Sequence, residues 1–266
     1  MDIQQLKHRV CEYLDEQRDR FELVARQIHR TPELGFEERF AQTVLTSLLA
    51  EGGFLVEPGV ADLPTSWRAT FGQSGPRIAF LSEYDALPEI GHACGHNLIG
   101  TGGVAAAMAL AAVWPDAPAQ ILSIGTPAEE GGGGKVLMVD RGIFADIDAA
   151  MMFHPSGAIN LAHRHGLACQ GLNIRFRGAP AHAAGSPWKG VNALDAMIQF
   201  FVNVSTLRQQ ILPDARLHGV ITNGGTAANV IPEFTEASYL VRARDAGYLA
   251  VLMEKVKRCG EAGALA

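Results

Sequence analysis

Apolar residues at Leu6, Val10, Leu14, Phe21, Val24 and Ile28 recur at helical spacing, and Thr31-Pro32 stops them, because a residue before proline is pushed out of the helical region. A second run predicts a helix over 37–49, closed by Gly52-Gly53. The pattern then turns strand-like over 66–71 and 77–81, with Gly72-Gln73-Ser74-Gly75 between them as a hairpin-type turn. A helix over 98–113, a strand over 120–124, a helix starting near Thr126 and a strand over 149–153 follow. Strands alternating with helices in this way predict an α/β fold, a mostly parallel sheet with helices on both faces.

The pattern changes after about His165. Residues 167–176 alternate like a strand, 192–208 read as a helix, 216–223 and 236–242 as strands, and 246–259 as a helix. This β-α-β-β-α order predicts a small α+β unit, so the chain divides into residues 1–165 and 166–266. Its 266 residues, 48% of them hydrophobic, suffice for a large core and more than one domain. A net charge of −6, with no run of five Lys or Arg, leaves no electrostatic footprint for nucleic acid. Residues 1–30 are charged throughout and lack the apolar centre of a secretory signal. The most apolar long stretch, 100–113, is shorter than the ~20 residues of a membrane span. A soluble, cytoplasmic protein without a membrane partner is therefore expected. Four single cysteines, Cys11, Cys94, Cys169 and Cys259, are no disulfide framework.

In α/β sheets ligands bind beyond the carboxyl ends of strands, so the residues just after strand runs matter most. Asp85 follows the strand over 77–81. Gly91-His92-Ala93-Cys94-Gly95-His96-Asn97 opens the next helix, Glu129-Glu130 follow 120–124, and His154 follows 149–153. Thiolate, imidazole and carboxylate together make a metal-site inventory. Each residue also has a plainer reading. His154 before proline could be a core or capping residue, and Cys94 a buried thiol. Thr126-Pro127-Ala128-Glu129 matches a capping box with proline at the first helical position, although the glycines at 131–134 make a poor helix and suit a loop approaching a ligand. The run Gly-Gly-Gly-Gly-Lys135 is not a phosphate loop, because Glu129 stands at the first glycine position and Val136 follows the lysine. No Pro-Cys-x-x-Cys accompanies a His-x-Glu, which excludes a nucleobase deaminase site. A Cys94 nucleophile paired with His96 stays open, but gives Glu129 and Glu130 no role.

Seven motifs occur in one order: His29-Arg-Thr-Pro-Glu-Leu-Gly-Phe-Glu-Glu38, Glu83-Tyr-Asp-Ala-Leu-Pro88, the Gly91 to Asn97 stretch, Gly125-Thr-Pro-Ala-Glu-Glu130, His154-Pro155, Ala181-His-Ala-Ala184 with Gly190-Val-Asn-Ala-Leu-Asp-Ala196, and Gly224-Gly-Thr-Ala-Ala-Asn-Val-Ile-Pro232. In these the chain resembles the co-catalytic metallopeptidases and amidohydrolases that include aminoacylases, hippurate hydrolases and indoleacetyl-amino-acid hydrolases. Asn97, where most members carry Asp, with Glu83-Tyr-Asp-Ala-Leu-Pro88 and the four glycines, looks most like the p-aminobenzoyl-glutamate hydrolase and dipeptidase-like branch.

The resemblance implies hydrolysis of an amide in a small N-acyl amino acid or dipeptide at a site holding two divalent ions, Zn²⁺ or Mn²⁺. It implies Cys94, His96, Glu130 and His154 as ligands, and Glu129 as the general base toward a metal-bound water. Asp85, His92 and Asn97 would orient the ligands. Residues 166–266 resemble a lid and dimerisation domain inserted into the catalytic one, which implies a homodimer. Its His182 and Asn229 would stabilise the oxyanion and bind substrate, often in the other subunit's site. Arg242 is a candidate for a substrate carboxylate, with an exposed salt bridge as its plainer role. Relatives return from the lid to complete the catalytic sheet and add a late histidine ligand, whereas this sequence stops within the lid. The resemblance thus predicts a truncated lid domain, read either as part of a longer amidohydrolase or as a non-catalytic, dimerising partner subunit. A thiol-dependent enzyme using Cys94 is the third reading.

Overall fold

The computed structural model describes residues 2–157, 161 and 166–266, which fall into two compact units, Met1–Asn160 and Leu161–Ala266. The boundary expected at 165/166 adjoins His165, which lies outside the described residues.

The first unit opens with helices α1 (Ile3–Glu16), α2 (Arg18–Arg30) and α3 (Arg39–Glu51). The first apolar run is thus two helices. Gln17 leaves the helical region at φ −94°, ψ 6° and caps α1 through its backbone N–H. No apolar residue falls between Leu14 and Phe21, so no buried side chain holds the helix through that point. A strand the pattern did not predict, β1 (Leu55–Pro58), is followed by β2 (Trp67–Phe71), β3 (Arg77–Ser82), helix α4 (His96–Val113), β4 (Gln120–Gly125), the short α5 (Glu129–Gly132), α6 (Gly134–Asp140) and β5 (Ala149–Met151).

These strands form one sheet in the order β1-β2-β4-β3-β5. The expected hairpin between β2 and β3 is absent, because β4 lies between them. Leu122 is the partner of Thr70 on the antiparallel side and of Ala79 on the parallel side. Burial explains this placement: β4 is the most completely buried strand, and a strand covered on both faces belongs at the centre. The sheet is accordingly mixed. The β4-β3-β5 part is parallel, as expected, while β1 and β2 pair antiparallel.

Helices cover both faces. On one, Ile28, Leu45, Leu49, Val104 and Met108 pack with Trp67 and Ile121. On the other, Leu63, Ala79, Leu122, Ile124 and Met138 form a second cluster. The small residues of α4 let it settle onto β3: a Cβ at Gly103 would stand 2.6 Å from the Leu81 carbonyl oxygen, and one at Gly100 would stand 2.8 Å from that of Glu83. Helix α4 is long and apolar enough to cross a membrane, but 72% of it is buried inside the protein, as in a core helix.

The second unit contains β6 (Ala168–Arg177), α7 (Ala193–Leu207), β7 (Arg216–Asn223), β8 (Phe234–Ala243) and α8 (Ala246–Leu265), in the order the pattern predicts. Its sheet is antiparallel, β6-β8-β7. Alternate residues of β8, including Ala237, Tyr239 and Val241, join Met197, Phe200, Leu252 and Val256 in the core. Cys11, Cys94, Cys169 and Cys259 are free thiols.

Candidate metal centre

Gly95 adopts φ 79°, a left-handed conformation open to glycine at little cost, and caps α4. It delivers His96 into the core at the carboxyl end of β3, with a side chain only 1% exposed. Its Nδ1 lies 2.8 Å from Asp85 Oδ1 and 3.1 Å from the Asp85 carbonyl oxygen. A carbonyl oxygen can only accept, so the ring hydrogen is on Nδ1 and the Nε2 lone pair faces the other way. Nε2 has no hydrogen-bond partner among the described residues. Around it stand carboxylate oxygens of Glu83 at 3.5 Å, Glu130 at 3.8 Å and Glu129 at 3.9 Å.

The turn after β4 supplies two of these carboxylates, and it is not a capping box. Thr126 Oγ1 donates to the Ser82 carbonyl oxygen at 3.0 Å, and so does not serve the helix that follows. Ala128 sits at φ 53° and Gly131 at φ 103°, which reduces the expected helix to a kinked turn. Left-handed backbone at a non-glycine costs about 1–2 kcal/mol. Glu38, fully buried, holds it there: one oxygen accepts from the Ala128 N–H at 2.8 Å and the other from Thr65 Oγ1 at 2.7 Å. The Glu130 N–H donates to Asp85 Oδ2 at 2.8 Å, so one aspartate fixes both His96 and the Glu130 backbone. Burial opposes ionisation of Asp85, but the hydrogen bonds from His96 and Glu130 outweigh it and lower its pKa.

These residues fit divalent metal. Donor atoms of Glu83, His96 and His154 lie within 4.8 Å of one another, as do those of His96, Glu129 and Glu130. Ligands ~2.1 Å from a tetrahedral ion stand ~3.4 Å apart, which suits spacings too wide for good hydrogen bonds. His154 donates from Nδ1 to the Pro155 carbonyl oxygen at 2.8 Å, leaving its Nε2 lone pair free. Burial works against a charged His96, yet Asp85, Glu83 and Glu129 raise its pKa, so the surroundings favour positive charge at this point. The pKa of Glu129 is raised, first by burial and then by the charge of Glu83.

Cys94 belongs to neither donor group, but the Glu130 side chain beside its thiol, with burial and the other acidic neighbours, pushes its pKa up to about 11. A nucleophilic cysteine needs the opposite shift, and His96 is engaged by Asp85. The geometry therefore favours Cys94 beside a cation over Cys94 as nucleophile. An open cavity of about 480 Å³ in this unit is lined by Cys94, His154, His92 and His29. His92 is buried with its ring 6.2 Å from that of His29, and neither ring nitrogen has a hydrogen-bond partner among the described residues. The Asn97 amide donates to the Ala25 carbonyl oxygen at 3.1 Å, tying α4 to α2. A carboxylate there would have no hydrogen to give.

Glu83, Glu38 and Lys135 are the participants that sequence reasoning missed. Glu83 directly follows β3, and the rule about strand ends already pointed to it. Glu38 precedes α3 and Lys135 lies in the first turn of α6, away from the strand ends, and neither gave such a signal.

In the second unit, His182 Nδ1 accepts from the Ala184 and Gly185 N–H groups at 3.2 and 3.0 Å. The ring hydrogen must then be on Nε2, which is exposed. A bridge from His182 to Val230, and a bond from the Ala183 N–H to the Asn229 carbonyl oxygen, bring these two motifs together. Arg242 is not with them. It is exposed near the far end of β8, ~26 Å along the strand from Phe234 at ~3.3 Å per residue.

Residues 169–264 match the peptidase dimerisation domain of the M20 peptidases. The chain is 41% identical over its whole length to the Xaa-Arg dipeptidase of Mus musculus, of which it spans 64%. Over 99% of its length it is 36% identical to one of the p-aminobenzoyl-glutamate hydrolase polypeptides of Escherichia coli, of which it spans 59%. In fold it resembles a dinuclear metal-binding peptidase of the M20 family from Bacillus subtilis, with a TM-score of 0.67 and 21% identity over 93% of this chain and 70% of that one. An aminobenzoyl-glutamate utilization protein from Klebsiella pneumoniae gives a TM-score of 0.69 at 23% identity, over 96% and 75%.

Proposed function

We propose that the chain is a member of the M20 family of metallopeptidases and amidohydrolases, and that it supplies the metal site and the dimerisation unit of a hydrolase acting on the amide bond of a small N-acyl amino acid or dipeptide. The observation that carries this reading is the His96 Nε2 lone pair, buried and unpartnered among the described residues, facing three carboxylates and grouped with His154. Relatives named for an Xaa-Arg dipeptidase and a p-aminobenzoyl-glutamate hydrolase support the substrate class.

Cys94, His96, Glu130 and His154 would hold two divalent ions, Zn²⁺ or Mn²⁺. The chemistry such ions supply is polarisation of the substrate carbonyl and a lowered pKa for a water. Glu129 is the base: it is half-buried, its pKa is raised, and a carboxylate in that condition can accept a proton and return it to the leaving amine. Asp85 holds His96 and the Glu130 backbone in register. His182 offers a fixed Nε2–H donor suited to an oxyanion, and Asn229 a neighbouring amide for substrate. The match to a dimerisation domain supports a homodimer through the second unit. A cytoplasmic location belongs to the same proposal, and the burial of α4 in the core accords with it.

Glu129→Gln tests the assignment, because the amide keeps the shape and loses the base. Hydrolysis of a panel of dipeptides and N-acyl amino acids should fall by ~10²–10⁴ while bound metal is retained. Undiminished hydrolysis in the variant would overturn it.

A further inference from the structure

The sequence motifs leave Glu83 without a task, yet among the candidate carboxylates it is the one nearest to His96 Nε2. Its side chain is only 2% exposed. One oxygen, Oε1, is paired with the Lys135 ammonium. The other, Oε2, has no partner among the described residues and lies 3.5 Å from the equally unpartnered His96 Nε2. Two buried polar atoms with lone pairs facing each other repel, and a buried polar group left without a partner is destabilising. A cation between them would satisfy both. Glu83 also shares a donor group with His96 and His154, the group that contains neither Glu129 nor Glu130.

Lys135 accounts for the orientation of this carboxylate, because its ammonium engages one oxygen and leaves the other turned to His96. The glycine loop at 131–134, which the sequence suggested would let backbone approach a ligand, instead brings a lysine up behind a ligand. Gly133 at φ 63° caps α6, and a Cβ at Gly134 would collide with the Pro127 carbonyl. Lys135 then lies in the first turn, its side chain 30% exposed, with its ammonium on the far oxygen of Glu83.

Resting on the metal-centre reading above, we infer that Glu83 is an additional metal-binding carboxylate of this site, shared with His96 and His154, and that Lys135 is its positioning residue. Lys135 would hold one oxygen so that the other faces the cation.

The test is titration of Co²⁺ into the metal-depleted chain, followed by visible absorption and by thermal unfolding with and without the ion. Glu83→Gln should weaken Co²⁺ binding by at least ~100-fold, change the shape of the absorption band and shrink the rise in Tm that Co²⁺ produces. Lys135→Met should weaken binding ~10-fold and leave the band shape as in the wild type. A purely structural ion pair would lower Tm equally with and without Co²⁺, and that result overturns the inference. So does a Glu83→Gln protein with wild-type affinity and spectrum, which leaves the metal centre itself standing. Should Glu83→Gln fail to fold, Lys135→Met decides, and unchanged affinity there refutes the proposal. A wild type that takes up no Co²⁺ removes the metal reading and this inference together.

Discussion

The two regions that carry candidate chemistry are built in opposite ways. In the first unit, His96, Asp85, Glu83 and Glu38 are almost wholly buried, and each is held by partners distant in sequence. In the second, His182 and Asn229 are exposed on loops, fixed by neighbouring backbone and free at their polar tips. Clustered like charges need a rigid, desolvated frame to stay aligned, whereas groups that meet a small substrate must stay accessible. The difference teaches where mutations should separate folding from function.

The largest effect is expected from Asp85→Ala, because it releases His96 Nδ1 and the Glu130 N–H at once. Metal affinity should drop by ~10–100-fold and stability by about 3 kcal/mol, measured by chelator competition and denaturant unfolding. Wild-type values for both would dissolve the contrast on its buried side. His182→Ala should do the reverse. A loss of ~100-fold in kcat, with metal content unchanged and unfolding within about 0.5 kcal/mol of wild type, would place this residue in function alone; a large fall in stability would contradict that.

Glu38→Ala should cost about 2 kcal/mol by leaving the buried Ala128 N–H and Thr65 hydroxyl unpaired. Calorimetry would show this, and a crystal structure should find the turn at Ala128 displaced. The smallest effect, about 1 kcal/mol, is expected from Asn97→Asp, which sets a carboxylate against the Ala25 carbonyl. Its metal affinity should not change. Tighter metal binding without loss of stability would instead place Asn97 in the metal site and show that the contact with α2 is incidental.

How far the sequence could be read follows the same division. Periodicity placed α3, β6 and β8, because each has one face more buried than the other, the apolar run over 98–113 placed α4, which is buried on most sides, and strand-end logic pointed to Asp85, Glu129, Glu130 and His154. It could not place β4 between β2 and β3, since strand order depends on which strand both helical layers cover, a fact carried by no local pattern. The textual capping box at Thr126 failed because its hydroxyl finds Ser82, which lies 44 residues earlier in sequence. The Glu83–Lys135 pair was hidden for a similar reason: 52 residues separate its members, and the glycines before Lys135 suggested a ligand loop.

The most direct measurement of the central claim is metal content per chain, by mass spectrometry of the purified protein after loading with Zn²⁺ or Mn²⁺ and exhaustive dialysis. About two equivalents, falling sharply in His96→Ala, is the predicted result. A wild-type chain that retains no metal above the His96→Ala background would contradict the account.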